Sequence, residues 1–427
     1  MLGTALAAIV ITSSGQSVKG DPIIADLQKR AFDFFWNESN PNTGLTKDRA
    51  SNAKESDDYN VASIASTGFA FAAYPIGVER KWVSRKKAYD RTILTLHSIN
   101  DLVEHKNGWL YHFINWETGK REWKSEASTI DTAILLAGVI AAERYWKDPQ
   151  VTRLSERFWK RIDWNWAVSD GGAKPDESLI VHGWKPEEGF LNGRWSATYS
   201  EEKMLYVMGC GFSDIPTGGW EKIGRNFQTY KGIEFITGGP LFIHQMSEGF
   251  FDFSEMRDRL GISLWVASKN ASLANRQYCM DNPQGFKGYA SDFWGLSACD
   301  TPTGYKALGA PGWVDDDGTI TPTSAVATAP YTPEHAVAFA HAMRRNHAKA
   351  WGRYGFPNGY NPTKDWIDPD VIGIDLGMML LNVENARNGF VHKLTSRHPA
   401  VRRGYERLGF KKAPGSNSGP LRLAATK

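Results

Sequence analysis

The stretch 129–146 (TIDTAILLAGVIAAERYW) distributes Ile134, Leu135, Leu136, Val139 and Ile140 nearly all the way round a helical wheel. A helix without a wet face must be packed on most sides, so it belongs to the inner layer of a larger helical assembly. The stretch 85–102 differs. Arg85, Lys86, Lys87, Asp90 and Arg91 lie among Ile93, Leu94 and Leu96, which gives the wet and dry faces of an outer-layer helix. Further helices are expected at 23–36, 61–73, 151–164, 200–209, 247–273, 333–345, 373–387 and 400–408, with little sign of alternating strands between them. Inner and outer helices recurring without a linker predict an all-α fold, an (α/α)6 barrel or toroid in which helical hairpins close into a ring. The expected boundaries are a single catalytic domain over 21–410, a signal-peptide remnant or disordered segment over 1–20, and a disordered tail over 411–427.

Charge and composition narrow the function. Fifty Lys and Arg against 47 Asp and Glu leave a net charge of +3, with no basic field for nucleic acid. No run is long and apolar enough to span a bilayer. Met1 to Ser17 has the shape of a signal-peptide core and cleavage zone, so a periplasmic or secreted monomer is expected. Cys210, Cys279 and Cys299 stand far apart, which argues against a zinc ribbon or redox pair and leaves one disulfide open. Seventeen Trp exceed what a core alone needs, so exposed aromatic platforms are expected, and sugars are polar ligands that stack on such rings.

Three acids stand at helix starts. Ser128-Thr129-Ile130-Asp131 and Thr198-Tyr199-Ser200-Glu201 match capping boxes, and Asp375 opens the helix that contains Met378 to Val383. Taken singly, each acid suits a backbone-capping or helix-dipole role. In a toroid, however, the inner helices run parallel and their first turns gather at one mouth, so Asp131, Glu201 and Asp375 would converge on one cleft. Opposed carboxylates are the equipment of glycosidic bond hydrolysis. A helix dipole lowers a carboxyl pKa, so a general acid there needs burial or a like-charged neighbour, such as Glu202, to hold its proton.

The loop-rich stretches 170–198 and 281–332 add His182-Gly183-Trp184, Trp195 and Trp294, and His244-Gln245 lies between them. Flat apolar faces mixed with neutral hydrogen-bonding groups suit a sugar cleft better than a metal site. Asp315-Asp316-Asp317-Gly318 lacks the spacing and closing Glu of an EF-hand loop and reads as a solvated turn. No metal and no cofactor are expected. Serine-hydrolase, NTPase, zincin and dinucleotide-binding signatures are absent from the sequence.

Several ordered motifs resemble one family. They are Ala65-Ser66-Thr67-Gly68-Phe69, Ala73 to Arg80, Ser128 to Ala133, His182-Gly183-Trp184, Tyr199-Ser200-Glu201, Pro240 to Gln245, Trp294-Gly295-Leu296 and Gly373-Ile374-Asp375. Over roughly residues 27–410 the chain resembles the bacterial glucoamylase-like family that includes glycoside hydrolase family 144, the endo-β-1,2-glucanases. The resemblance implies an (α/α)6 barrel and metal-independent, inverting hydrolysis of β-1,2-glucan to short oligosaccharides such as sophorose. It implies Glu201 as general acid, Asp375 as base and Asp131 in the same cleft, with sugar contacts from Glu126, His182, Trp184, Trp195, Glu202, His244, Gln245 and Trp294. The chain departs from the family pattern at Ser200, at Ser291-Asp292-Phe293 and at Cys299-Asp300-Thr301-Pro302. Transglycosylation, exo-action and a non-catalytic glucan-binding role stay open at this point.

Overall fold

The computed structural model describes residues 18–53, 58–237 and 239–423. The signal-segment reading of Met1 to Ser17 falls outside them. The chain is mostly helical: α1 (Pro22–Asn37), α2 (Ile64–Glu79), α3 (Arg85–Asp101), α4 (Thr129–Trp146), α5 (Pro149–Lys160), α6 (Trp164–Ser169), α7 (Glu202–Phe212), α8 (Gly219–Lys222), α9 (Met246–Phe250), α10 (Leu264–Asp281), α11 (Pro322–Val326), α12 (Pro333–Asn346), α13 (Gly373–Asn388), α14 (Phe390–Thr395) and α15 (Pro399–Arg407). No helix among the described residues is long and apolar enough to cross a membrane.

The two layers follow from which faces are apolar. Helix α4 is buried from Thr129 to Ala142, and α2 from Ile64 to Gly77. These two pack on each other, α2 also packs on α13, and α4 on α7. Contact between α2 and α4 is close because both carry glycine at the crossing: a Cβ on Gly138 would lie 1.9 Å from the Gly68 carbonyl oxygen. Helices α3 and α5 bury one face each and lie outside, against α2, α4 and one another. Helix α14 sits at the C-terminal end of α4, where Phe390 meets Tyr145 edge-on at 6.0 Å.

Short antiparallel ladders stand directly before α2, α4 and α13. Val61–Ser63 pairs with Phe113–Asn115 ahead of α2, Ala127–Ser128 with Gly183–Lys185 ahead of α4, and Arg49–Ser51 with Asp370–Ile372 ahead of α13. The last strand residue is in each case the helix N-cap, whose extended backbone suits both roles. The ladders therefore fix where the first helical turns lie.

Three sequence expectations are corrected. The helix expected over 247–273 is two, α9 and α10. The chain turns between them because the Asp258 carboxylate accepts from Leu260 N, Ile262 N and Trp220 Nε1, and Ser263 caps the new helix. Helix α2 does not stop before Pro75 but runs to Glu79, its burial outweighing the missing donor. Residues 411–423, expected as a disordered tail, are tied down: Lys411–Lys412 pairs with Met256–Arg257, and Leu421 is buried. The three cysteines are free and buried.

Candidate active site

Asp131, Glu201 and Asp375 line one cavity of about 440 Å³. Each stands at the start of a helix, α4, α7 or α13, and the ladders ahead of α4 and α13 set Asp131 and Asp375 with those helix starts. Glu126, His182 and Trp195 line the same space. His112, Lys185, Phe242 and Tyr305 complete much of the wall.

The three acids are held differently. Asp131 accepts from the Ser128 hydroxyl at 2.6 Å, while Ser128 Oγ accepts from Asp131 N at 3.3 Å, so this box caps α4 and orients the carboxylate at once. The second expected box does not form. Glu201 is itself the N-cap and makes no side-chain cap bond. Its carboxylate accepts instead from the Ser200 hydroxyl, and burial pushes its pKa up, opposed by that hydrogen bond and by Lys203 and reinforced by Asp131. The helix N-terminus does not win here, because removal from water is the larger effect. Asp375 is buried and accepts from Asn358 Nδ2 at 2.7 Å. Burial pushes it up to about 8, with Asp48 and Asp300 adding and the Asn358 bond and Arg49 opposing. Arg49 reaches Asp300 at 2.7 Å and Asp48 at 3.3 Å beside it.

His112 bridges two acids of the wall, with Nδ1 3.2 Å from Glu126 and Nε2 3.5 Å from Asp131. Burial alone would lower its pKa, but Asp131 and Glu126 outweigh this and raise it to about 9. Its charge in turn holds Glu126 below the usual carboxylate range against the effect of burial. His112, Glu126 and Asp131 are also the group that could hold a metal among the described residues. Two of the acids of 315–317 have protein partners: Asp316 accepts from Tyr289 Oη at 2.7 Å and from Gly318 N, and Asp317 from Thr319 N.

Five expected sugar contacts lie outside the cavity lining. Glu202 is fully buried behind Glu201, accepts from Ser200 N at 3.1 Å, and is pushed up to about 7 by burial. His244 is buried against Tyr199 at 5.1 Å, and Gln245 bonds Ser324 through both amide atoms. Trp294 is wholly buried against Phe339. Trp184 pairs across the ladder with Ala127 and carries Lys106 over its ring. Glu202, His244, Gln245 and Trp294 are thus buried inside the protein, and Trp184 is half-buried on the ladder ahead of α4. By contrast, His182 tilts on Trp195 at 4.3 Å, and Trp195 Nε1 donates to Thr129 Oγ1 at 2.9 Å, so both are fixed to the first turn of α4.

Residues 194–399 match the family model described as "Glycoamylase: Putative glucoamylase". An endo-β-1,2-glucanase from Chitinophaga pinensis, solved with sophorotriose and glucose, is 26% identical with a TM-score of 0.84, covering 93% of this chain and 99% of that one. A protein from Bacteroides uniformis, described as a putative glucoamylase, is 28% identical with a TM-score of 0.83, covering 91% of this chain and 97% of that one. An exo β-1,2-glucooligosaccharide sophorohydrolase acting at the non-reducing end, from Parabacteroides distasonis, is 25% identical over 93% of this chain. This chain spans 59% of that relative's length. Residues 194–399 are thus a glycoamylase-family segment, and the chain as a whole resembles the glucoamylase-like proteins and β-1,2-glucanases of known structure.

Proposed function

We propose that this protein is a glycoside hydrolase that cleaves β-1,2-glucan internally, with inversion, and releases short oligosaccharides such as sophorose. The observation that carries the reading is the convergence of Asp131, Glu201 and Asp375 from three helix starts on one cavity. Their surroundings suit two roles. Burial and the nearby Asp131 favour a proton on Glu201, which a general acid needs in order to deliver it to the leaving glycosidic oxygen. Asp375, pushed up to about 8, is a strong base whenever it is ionised. Glu201 opens α7 and Asp375 opens α13, and these different helices support carboxyls that approach from separate walls. Separate walls are what inversion requires, with roughly 6.5–9.5 Å between the groups to seat a water. The reacting form carries the proton on Glu201 and none on Asp375. Water attacks the anomeric carbon on the Asp375 side and passes its proton to Asp375, directly or through a substrate hydroxyl, while Glu201 protonates the departing sugar oxygen.

The fold belongs to the same reading as an (α/α)6 toroid, with α2, α4, α7, α9, α11 and α13 as the inner layer. The packing of α13 on α2, α2 on α4, α4 on α7, α7 on α9 and α11 on α13 supports it.

The similarity to an exo-acting sophorohydrolase favours one second reading, release of sophorose from a chain end. Sizing the products from linear β-1,2-glucan separates the two. Internal cleavage gives an early collapse of polymer length with mixed oligosaccharides, and end-release gives sophorose from a polymer that stays long. A protein that produces no new reducing ends from this glucan would refute both.

A further inference from the structure

A row of rings leads out of the cavity. His112, on the cavity wall, stacks on Phe113 at 3.8 Å and 16°. Phe113 meets Trp123 at 5.0 Å, and Trp123 meets Tyr59 at 6.3 Å. Trp123 is 59% exposed, and its neighbour in the row, Phe113, is held in the ladder ahead of α2. Single exposed rings are ordinary, but this one is continuous with the proposed reaction site.

The backbone keeps Trp123 outside. Trp123 and Lys124 both have positive φ, 51° and 52°, a costly pairing for two residues with side chains. The turn is nonetheless pinned on both sides: Glu122 N donates to Phe113 O at 2.9 Å, Arg121 Nε to Ser125 O at 2.5 Å, and Ser125 Oγ to Phe113 O at 3.1 Å. A turn serving only to connect strands would be cheaper with glycine, and an indole held in water gains nothing for the fold. The flat faces of pyranose rings are the apolar surface that such an indole can cover while the sugar hydroxyls stay wet.

We propose that Trp123, backed by Phe113 and flanked by Tyr59, is a stacking platform for a glucose unit of a glucan chain whose reacting bond lies at the carboxylates. The proposal rests on the functional reading above and deepens it, since a platform outside the cavity rewards long chains over short ones. It engages the substrate without touching the reacting atoms, so its loss weakens binding and leaves the chemical step alone.

The test compares wild type, Trp123→Ala and Trp123→Phe on linear β-1,2-glucan and on the shortest β-1,2-gluco-oligosaccharide the wild type cleaves. Trp123→Ala raises KM for the polymer roughly two- to tenfold with kcat within about twofold, and leaves the short substrate unchanged. Trp123→Phe restores most of the polymer KM. A wild type inert on this glucan would overturn the functional reading. A wild type that cleaves it, with a Trp123→Ala variant of equal polymer KM or of equal loss on the short substrate, would overturn the platform alone.

Discussion

Asn358 joins Asp375 to Asp300 with one amide: its Nδ2 donates to Asp375 Oδ2 at 2.7 Å, and its Oδ1 accepts from Asp300 N at 2.8 Å. Asp300 belongs to the hairpin Ala298–Thr301/Gly304–Ala307, which brings Tyr305 to the cavity, so the proposed base and that hairpin are held as a unit. The bond to Asp375 favours its ionised form and opposes burial. Replacing Asn358 by Ala leaves burial opposed by Arg49 and no longer by that bond, and moves the Asp375 pKa further up from about 8. The pKa of the kcat/KM profile that belongs to Asp375 should therefore shift to higher pH by about one unit, and the rate at neutral pH should fall about tenfold. A pH–rate series on the variant checks this.

Glu201→Gln keeps the shape of the side chain and an acceptor for Ser200 but has no proton to deliver. Since Glu201 makes no side-chain cap bond, α7 has nothing to lose. Turnover should drop by roughly 10²–10⁴-fold with thermal stability close to wild type. Near wild-type turnover would remove Glu201 from the mechanism.

His112 ties stability to pH. Its pKa rises from 6.5 to about 9 on folding, because Asp131 and Glu126 outweigh the opposing effect of burial. A folded pKa above the unfolded one means stability that is fully present below about pH 6.5 and is lost as pH rises through about 9. Asp375, raised from 3.8 to about 8, adds a loss in the same direction at lower pH. His112→Gln should be less stable than wild type near pH 6, and its melting temperature should change less between pH 6.5 and 9. Melting curves across that range test the pairing.

Much of the helical layer was legible in local sequence. The all-round apolar 129–146 gave the bounds of α4, and the capping pattern at Ser128 placed Asp131 correctly. The partners that make the acids useful were not legible, because distant pairing sets them. His112 reaches the cavity through the ladder of Phe113–Asn115 with Val61–Ser63, and Asn358 meets Asp375 across a loop; neither position carries a local motif. His244, Gln245 and Trp294 show the opposite error. Their polar or aromatic character suggested sugar contact, whereas they are buried groups satisfied or packed inside the protein. The box at Thr198 failed for a similar reason, since Ser200 N donates to Glu202 and the Ser200 hydroxyl to Glu201, whose carboxylate faces the cavity.

The α2–α4 crossing is a further point of sensitivity. A Cβ at Gly138 would lie 1.9 Å from Gly68 O and 3.0 Å from Gly68 Cα, both backbone atoms that cannot rotate away. Gly138→Ala should cost about 1–3 kcal/mol despite the better helix propensity of alanine. Denaturant unfolding measures it, and a gain in stability would mean that the helices separate easily.

Inverting hydrolysis needs Glu201 and Asp375 to act from opposite walls on the proposed β-1,2-linked glucan. Proton NMR of the first minutes of reaction with linear β-1,2-glucan reads cleavage and stereochemistry together. Inversion at a β-linkage gives new reducing ends that appear first as the α-anomer and then equilibrate. A first-formed β-anomer, or no new reducing ends at all, would contradict it.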